Sequence, residues 1–140
     1  MPMIEIKNVG KWYGDFNVLA ECTTQVEKGE VIVVCGPSGS GKSTLIKCVN
    51  GLEPFQKGEI LVNGTSVGAP GTNLSKLRSH VGMVFQHFEL FPHMSITENL
   101  TIGQIKVLGR SKDEAVDKGL KLLDRVGLKA HAHKFPGQLS

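Results

Sequence analysis

One stretch of the sequence constrains the fold more than any other. Gly36–Thr44 reads Gly-Pro-Ser-Gly-Ser-Gly-Lys-Ser-Thr and matches the phosphate-binding loop pattern G-x-x-x-x-G-K-[ST] at every fixed position. The apolar, β-branched run before it, Glu30–Cys35, predicts a strand buried on both faces. The amphipathic run after it, Ser43–Asn50, predicts a short helix that Gly51 ends. The sequence therefore predicts a strand, a glycine loop and a helix in succession.

The residue types of this loop suit an anion. Glycines allow left-handed backbone angles, so successive N–H groups point into one concavity, and the following helix adds the positive end of its dipole. Lys42 is placed to reach the β- and γ-phosphates of a nucleotide, and the Ser43 hydroxyl to ligate Mg²⁺. The predicted nucleotide-contacting residues of the loop are Gly36, Pro37, Ser38, Gly39, Ser40, Gly41, Lys42, Ser43 and Thr44. The alternative is a glycine-rich turn that binds nothing.

Composition narrows the class of protein. A chain of 140 residues suits one domain, its net charge of +3 is small, and it has no Lys/Arg cluster of the kind that indicates nucleic-acid binding. The three cysteines form no C-x-x-C pair, and the apolar surroundings of Cys35 and Cys48 predict buried free thiols in a reducing compartment. The first residues carry no signal-peptide pattern, and no window approaches the ~20 apolar residues of a membrane helix. We therefore expect any membrane link to run through a partner.

The first half of the chain predicts antiparallel strands. Ile4–Val9 alternates apolar and polar residues, Lys11–Asp15 reads as a turn, and Val18–Val26 places every second residue inward. An Asn63-Gly64 turn predicts a hairpin. Only short turns join these strands, so they are expected to pair antiparallel.

In the second half of the chain the spacing of apolar residues changes from a strand pattern to a helical one. Val81–Phe85 predicts another buried strand, with Gln86 at its carboxyl end, where ligands of α/β sheets bind. Capping boxes that begin at Ser95 and Ser111 then predict two helices, which end at Gly109 and Gly127. A short helical turn is expected at residues 74–79.

These motifs together resemble the nucleotide-binding subunits of ABC transporters, in particular the importers of the polar amino acids glutamate, aspartate and glutamine. The resemblance spans essentially the whole chain. Besides the glycine loop, it rests on Lys11–Gly14, Val84–His93, Thr97–Leu100 and Phe135–Ser140. It implies a P-loop NTPase (RecA-like) core with an antiparallel β subdomain over residues 1–88. It also implies the start of a helical subdomain over residues 89–140, in a domain incomplete at its C-terminus.

The resemblance also implies residue roles. Tyr13 matches the aromatic residue that stacks on adenine, and its alternative is that Tyr13 or Trp12 merely fills a turn. Gln86 matches the glutamine that contacts Mg²⁺ and the hydrolytic water, and its alternative is a polar strand cap. Together with Lys42 it forms the implied catalytic set. His87–His93 matches the loop that receives a coupling helix from the membrane permease.

Leu139-Ser140 matches the first two residues of the family signature L-S-G-G-Q. The family's magnesium-side Asp, catalytic Glu and switch His are expected beyond Ser140, so residues 1–140 alone are expected to be inactive. Leu122–Asp124 imitates a Walker B motif, but it lies within a helical pattern and is rejected. His131 and His133 are expected to be surface residues, because two His are too few for a zinc site.

The implied function is that of an ATP-binding subunit that couples ATP hydrolysis to amino-acid import. The implied partners are a second ATP-binding subunit in a head-to-tail homodimer, a permease and, indirectly, a solute-binding protein, at the cytoplasmic face of the inner membrane. The alternatives are a nucleotide-binding fragment without hydrolysis, a non-transport ABC ATPase, and a kinase or GTPase.

Overall fold

The structure is a computed structural model that describes residues 2–85, 87 and 89–139. The chain divides into two compact units, of which the first ends at Val81 and the second begins at Gly82. The predicted subdomain boundary, between residues 88 and 89, stays a prediction.

The first unit contains a four-stranded antiparallel sheet, in which short turns join the first strand to the second and the third strand to the fourth. Its strands are β1 (Ile4–Tyr13), β2 (Phe16–Val26), β3 (Lys57–Val62) and β4 (Thr65–Ser66), in the order β2-β1-β3-β4. The predicted hairpin at Asn63-Gly64 is confirmed, because it joins β3 to β4 with positive φ angles of 48° and 81°.

The β1–β2 hairpin differs from prediction in two respects. The residues Lys11–Tyr13 belong to β1, so the turn is confined to Gly14 and Asp15. The inward alternation of β2 is also wrong in part, since Leu19 is buried and Ala20 is exposed. The pairing of β1 with β2 shifts register several times, and Glu21 has a φ of 46°. A bulge moves the following side chains to the other face, which a strict period of two does not anticipate.

Two predicted buried strands are wrong. Glu30–Cys35 and Val81–Phe85 have no strand structure, and the side chains of Val31 and Val84 are 89% and 98% exposed. A strand is held by hydrogen bonds to a neighbouring strand, and none of the strand pairings described in residues 2–85, 87 and 89–139 involves either segment. Glu30–Cys35 is therefore exposed throughout, whereas in Val81–Phe85 only Val81, which packs against the core of the first unit, and Met83 are half-buried.

The burial of the cysteines agrees only in part with the prediction. Cys48 is buried, as predicted, whereas Cys35, in the exposed segment Glu30–Cys35, is exposed, which contradicts the prediction. Cys35 and Cys48 are free thiols, as predicted, and Cys22 is free as well.

Helix α1 (Lys42–Val49) follows the glycine loop and confirms the short helix predicted there. Gly51, which was predicted to end it, lies just beyond it with a φ of 75°. A second helix, α2 (Leu74–Arg78), lies where a helical turn was predicted. The core of the unit consists of one buried cluster from these helices and the sheet: Ile6, Val9, Leu19, Cys48, Ile60, Val62, Val67 and Leu77.

The second unit contains two helices, α3 (Ile96–Lys106) and α4 (Lys112–Arg125), and two short 3-10 turns, Lys129–His131 and Pro136–Gln138. The capping box at Ser95 and Glu98 is complete. At the second predicted box, the Ser111 side chain accepts from the Glu114 amide, and the reciprocal bond is not described. Helix α3 ends before the predicted Gly109, whereas Gly127 follows the α4 cap at a φ of 77°, as predicted.

A small apolar cluster holds this unit together. Ile96, Leu123 and Ala132 are buried, and Leu100, Leu120 and Leu139 pack against them. The backbone adds to the packing, since the amides of Ile96 and Thr97 donate to carbonyls of the segment after α4.

Candidate nucleotide-binding site

The glycine loop lies between an exposed segment and the N-terminus of α1. Its conformation depends on glycine at two positions, because Gly39 and Gly41 have φ angles of 78° and 95°. L-residues rarely adopt such angles, and each one costs about 1–2 kcal/mol when forced to. The two positions are therefore the points at which the loop turns back toward its own helix.

Gly41 also places the loop against the sheet. A Cβ added there would lie 3.1 Å from Leu19 Cδ2 and 3.2 Å from the carbonyl oxygen of Val18, both on β2. A Cβ at Gly39 would meet nothing within 4 Å. Close packing and backbone angle thus coincide at Gly41, while only the angle matters at Gly39.

The start of α1 is left available to a ligand. Gly41 is the N-cap, no side chain caps it, and the first turn carries no acidic residue. The first amides of a helix have no partner within the helix. In α1 these belong to Lys42, Ser43 and Thr44, and together with the helix dipole they favour an anion at this end.

The ammonium of Lys42 is turned back onto the loop. Its Nζ donates to the carbonyl oxygens of Gly36 and Pro37 at 2.7 and 2.8 Å, and it lies 3.3 Å from Ser40 Oγ. The loop thus surrounds a cation on a flexible stem, and phosphate oxygens are stronger acceptors than neutral carbonyls.

The residues of the loop fit a polyphosphate better than they fit a metal. Ser43 is exposed and offers one hydroxyl, as predicted for Mg²⁺. Within residues 2–85, 87 and 89–139, no group of three or more His, Cys, Asp or Glu is arranged to hold a metal ion. Gln86, the second predicted metal and catalytic residue, lies outside the described residues. The remaining loop residues, Pro37, Ser38, Ser40 and Thr44, are all in the stretch from the loop into the first turn of α1.

Tyr13, the predicted adenine-stacking residue, ends β1 at the tip of the β1–β2 hairpin and is 47% exposed. Lys11 Nζ lies over its ring, 4.4 Å from the centroid. The same hairpin supplies the Val18 and Leu19 contacts at Gly41. One hairpin therefore carries the exposed aromatic ring and also packs against the glycine loop.

Three features that sequence reasoning set aside are settled by their positions. Leu122–Asp124 lies inside α4, as predicted, and not in a strand. His133 is exposed, as predicted, but His131 is half-buried. Its Nδ1 is buried and has no hydrogen-bond partner among the residues that the structure describes. The expectation of a surface residue is therefore wrong for His131, because the segment after α4 packs onto the small cluster of the second unit.

Residues 19–140 match the sequence model of a family described as ABC transporter. The chain belongs to this ABC transporter family. The match includes the whole glycine loop, the first unit from residue 19 onward and the second unit.

Two relatives of this ABC chain are named as ATP-binding proteins of amino-acid transport. It is 70% identical over 138 residues to the glutamate/aspartate import ATP-binding protein GltL of Escherichia coli K12, a match that covers 99% of this chain and 57% of the relative. It is 46% identical to the glutamine transport ATP-binding protein GlnQ of Bacillus subtilis, with the same coverage. The chain thus spans a little over half the length of these curated relatives.

Solved structures confirm the predicted ABC-type α/β fold. The dimeric structure of a bacterial ABC transporter cassette superimposes with a TM-score of 0.89 at 31% identity, covering 99% of this chain and 63% of that one. A post-hydrolysis state of an ATP-binding cassette, bound to ADP and Pi, gives a TM-score of 0.88 at 30% identity with the same coverage.

The predicted permease-facing loop of this ABC chain, His87–His93, is described except for Phe88. Leu90 and Phe91 are 42% and 51% exposed, and the Phe91 ring meets His93 edge to face at 5.8 Å. Asn99 of α3 fixes the end of the loop, because its side chain accepts from the Phe91 amide at 2.8 Å and donates to the Phe91 carbonyl. Apolar side chains are thus presented on a braced backbone.

Sequence reasoning missed a buried cation beside the aromatic residue. Lys11 is 3% exposed, and its Nζ lies 3.7 Å from Glu53 Oε2. Lys11 stands two residues before Tyr13, but a lysine within a turn pattern carries no signal of burial.

Among the described residues of this ABC chain, no helix is long and apolar enough to cross a bilayer.

Proposed function

We propose that the protein containing this chain is the ATP-binding subunit of an importer of polar amino acids, glutamate or aspartate in the first instance, and that it binds and hydrolyses Mg²⁺-ATP. The observation that carries the proposal is the glycine loop at the uncapped start of α1, with Lys42 inside it. The 70% identity to a glutamate/aspartate import ATP-binding protein supports the transport role and the substrate class. It also favours transport over a nucleotide-binding module without hydrolysis.

In this proposal the loop residues from Gly36 to Thr44 hold the phosphates. The amides at the start of α1 donate to phosphate oxygens, and Lys42 leaves its loop carbonyls to contact the β- and γ-phosphates. Positive charge at the γ-phosphate stabilises the transition state of phosphoryl transfer.

Gln86 and Tyr13 complete the proposed site. Gln86 would hold Mg²⁺ together with Ser43 of the loop, and the bound ion neutralises phosphate charge. Gln86 also orients the attacking water, and Tyr13 stacks on the adenine ring through its exposed face. The exposure of Tyr13 and of Ser43 supports these roles.

The proposed partners follow from the same family. Two copies pair head to tail, so that the loop of one copy faces the segment of the other that begins at Leu139-Ser140. The permease binds the His87–His93 loop, where Leu90 and Phe91 are exposed. The subunit then works at the cytoplasmic face of the inner membrane and meets a solute-binding protein only indirectly. The dimeric form of a solved neighbour supports the pairing.

The test compares two lysines of one helix. Lys42→Ala in the intact protein should weaken Mg²⁺-ATP binding at least tenfold and abolish turnover, because truncating one partner of a hydrogen-bonded charge pair at a binding site costs about 2–5 kcal/mol. Lys47→Ala, in the last turn of α1, removes the same charge away from the loop and should change neither. Calorimetric titration and phosphate release measure both quantities. Equal behaviour of the two variants would contradict the proposal.

The substrate class needs a cellular measurement. Cells that lack the gene should lose uptake of radiolabelled glutamate and aspartate, and the unsubstituted gene should restore it while Lys42→Ala should not. Unchanged uptake of both amino acids in the deleted strain would contradict the import role, even if ATP binding is normal.

A further inference from the structure

A lysine is buried in the first strand, where a charge is costly. Lys11 is 3% exposed, and a buried ammonium is stable only when other groups compensate its charge. Its neighbours along β1 include two aromatic residues, Trp12 and Tyr13. The groups that the ammonium contacts therefore indicate why a lysine is buried at this position.

The Lys11 ammonium has two described partners, one on its own strand and one in the segment between α1 and β3. It lies 3.7 Å from the carboxylate of Glu53 and 4.4 Å from the centroid of the Tyr13 ring. An ammonium within about 6 Å of an aromatic centroid, over the ring face, is attracted by the ring quadrupole. One face of Tyr13 is thus occupied by a cation that an acidic residue holds in place.

Glu53 is itself fixed to the helix that follows the glycine loop. Its amide and that of Leu52 both donate to the carbonyl oxygen of Lys47, at 3.3 and 2.9 Å, in the last turn of α1. The position of the carboxylate is therefore tied to α1, whose other end begins at the loop.

Gln56, in the segment after Glu53, hydrogen-bonds to the backbone of the residues on both sides of Lys11. The Gln56 amide donates to the Gly10 carbonyl at 3.0 Å, and the Gln56 side chain accepts from the Trp12 amide at 2.8 Å. The backbone on either side of the lysine is thereby fixed to the same segment that carries Glu53.

We propose that Lys11 and Glu53 are positioning residues for the nucleotide base: they hold the Tyr13 ring with one face covered by the ammonium, so that the opposite face is the one offered to the purine. This assignment rests on the proposed function, since it requires Tyr13 to stack on adenine. Restricting an aromatic platform before the ligand arrives lowers the entropy that binding must overcome. The carboxylate links the orientation of the platform to α1 and hence to the loop that holds the phosphates.

The experiment separates the base from the phosphates. In the intact protein, Lys11→Met replaces the ammonium with an apolar chain of similar length that still contacts the ring. Affinity for Mg²⁺-ATP should fall about three- to tenfold, the range that a cation–π contact of this kind represents. Affinity for inorganic tripolyphosphate, which has no base, should not change.

A double substitution tests whether Lys11 acts through Tyr13. Tyr13→Ala should weaken Mg²⁺-ATP binding by about tenfold or more, as loss of a stacked base does. Adding Lys11→Met to it should produce no further loss, because the group being positioned is gone. Lys11→Arg keeps a cation over the ring and should retain most of the ATP affinity.

The chain offers a matched control. Lys57 Nζ lies 5.4 Å from the centroid of the Trp12 ring, a second cation over the neighbouring aromatic residue, and Lys57 is exposed. Lys57→Met should leave the affinities for ATP and tripolyphosphate unchanged. Glu53→Gln tests the assignment from the other partner if Lys11→Met does not fold, and it should weaken ATP binding selectively as well.

Three outcomes would overturn the assignment: unchanged ATP affinity in Lys11→Met and Glu53→Gln, an equal loss of ATP and tripolyphosphate affinity, or a Lys11→Met effect that persists in the Tyr13→Ala background. Each of these leaves the proposed function intact provided that the unsubstituted protein binds ATP. Absence of ATP binding by the unsubstituted protein overturns the proposed function and this assignment together.

Discussion

The Lys42 ammonium donates a 2.7 Å hydrogen bond to the carbonyl oxygen of Gly36, the first residue of the glycine loop. The cation is therefore satisfied by the loop itself, with a second carbonyl, that of Pro37, at 2.8 Å. Its compact shape suits this position, since three acceptors lie within 3.3 Å of one nitrogen. A ligand that takes over the ammonium must offer better acceptors, as phosphate does.

We expect Lys42→Arg to weaken Mg²⁺-ATP binding by about tenfold, because the planar guanidinium cannot replace a point charge that several acceptors surround. Charge is conserved in this variant, so the loss reports geometry alone. Calorimetric titration of the intact protein measures it. Affinity equal to that of the unsubstituted protein would show that only the charge matters.

Substitutions at two loop glycines should differ in size. Gly41→Ala forces an L-residue to a φ of 95° and places its Cβ 3.1 Å from Leu19 Cδ2, so we expect a loss of about 2–4 kcal/mol in unfolding free energy. Gly39→Ala carries only the backbone cost, about 1–2 kcal/mol, because its Cβ meets nothing within 4 Å. Urea denaturation of both variants measures the difference. Equal losses would mean that the β2 contact adds nothing.

The start of α3 should respond to acid. The Ser95 amide donates to the Glu98 carboxylate and, with the Ser95 side chain, holds the pKa of Glu98 below its ordinary value. A depressed folded pKa contributes stability that is present above the unfolded pKa, near 4.3, and is lost as pH falls through the folded value. In Glu98→Gln the acid-side loss of stability should therefore be smaller. Thermal unfolding from about pH 3 to pH 6 tests this, and identical profiles would contradict it.

Cys48 should produce the opposite dependence at alkaline pH. Burial raises the pKa of this thiol above its ordinary value of 9.0. The unfolded chain then releases the proton at lower pH than the folded chain, so this contribution to stability is full below about pH 9 and falls as pH rises further. Cys48→Ala removes the titrating group and should flatten the alkaline limb in urea denaturation. A steeper limb in the variant would rule out the buried thiol as the cause.

Features that depend mainly on neighbours along the chain could be predicted from the sequence. The glycine loop, the helix after it, the Asn63-Gly64 hairpin and the Ser95 capping box all follow from turn angles and local hydrogen bonds. The antiparallel pairing of β1 with β2 and of β3 with β4 was predictable for the same reason, because the connections within these two pairs are too short for a crossover. The pairing of β1 with β3 joins strands that are distant along the chain, and no turn predicts it.

Tertiary structure decided what depends on distant partners. Glu30–Cys35 and Val81–Phe85 have the composition of buried strands, yet composition cannot supply the neighbouring strand that hydrogen-bonds them, and most of their side chains are exposed here. The reverse holds for Lys11, whose charge predicts exposure. It is buried because Glu53 and Tyr13, 42 and two residues away along the chain, reach its ammonium in space. A charge is buried or exposed according to the partners that the fold brings to it, and no local pattern records them.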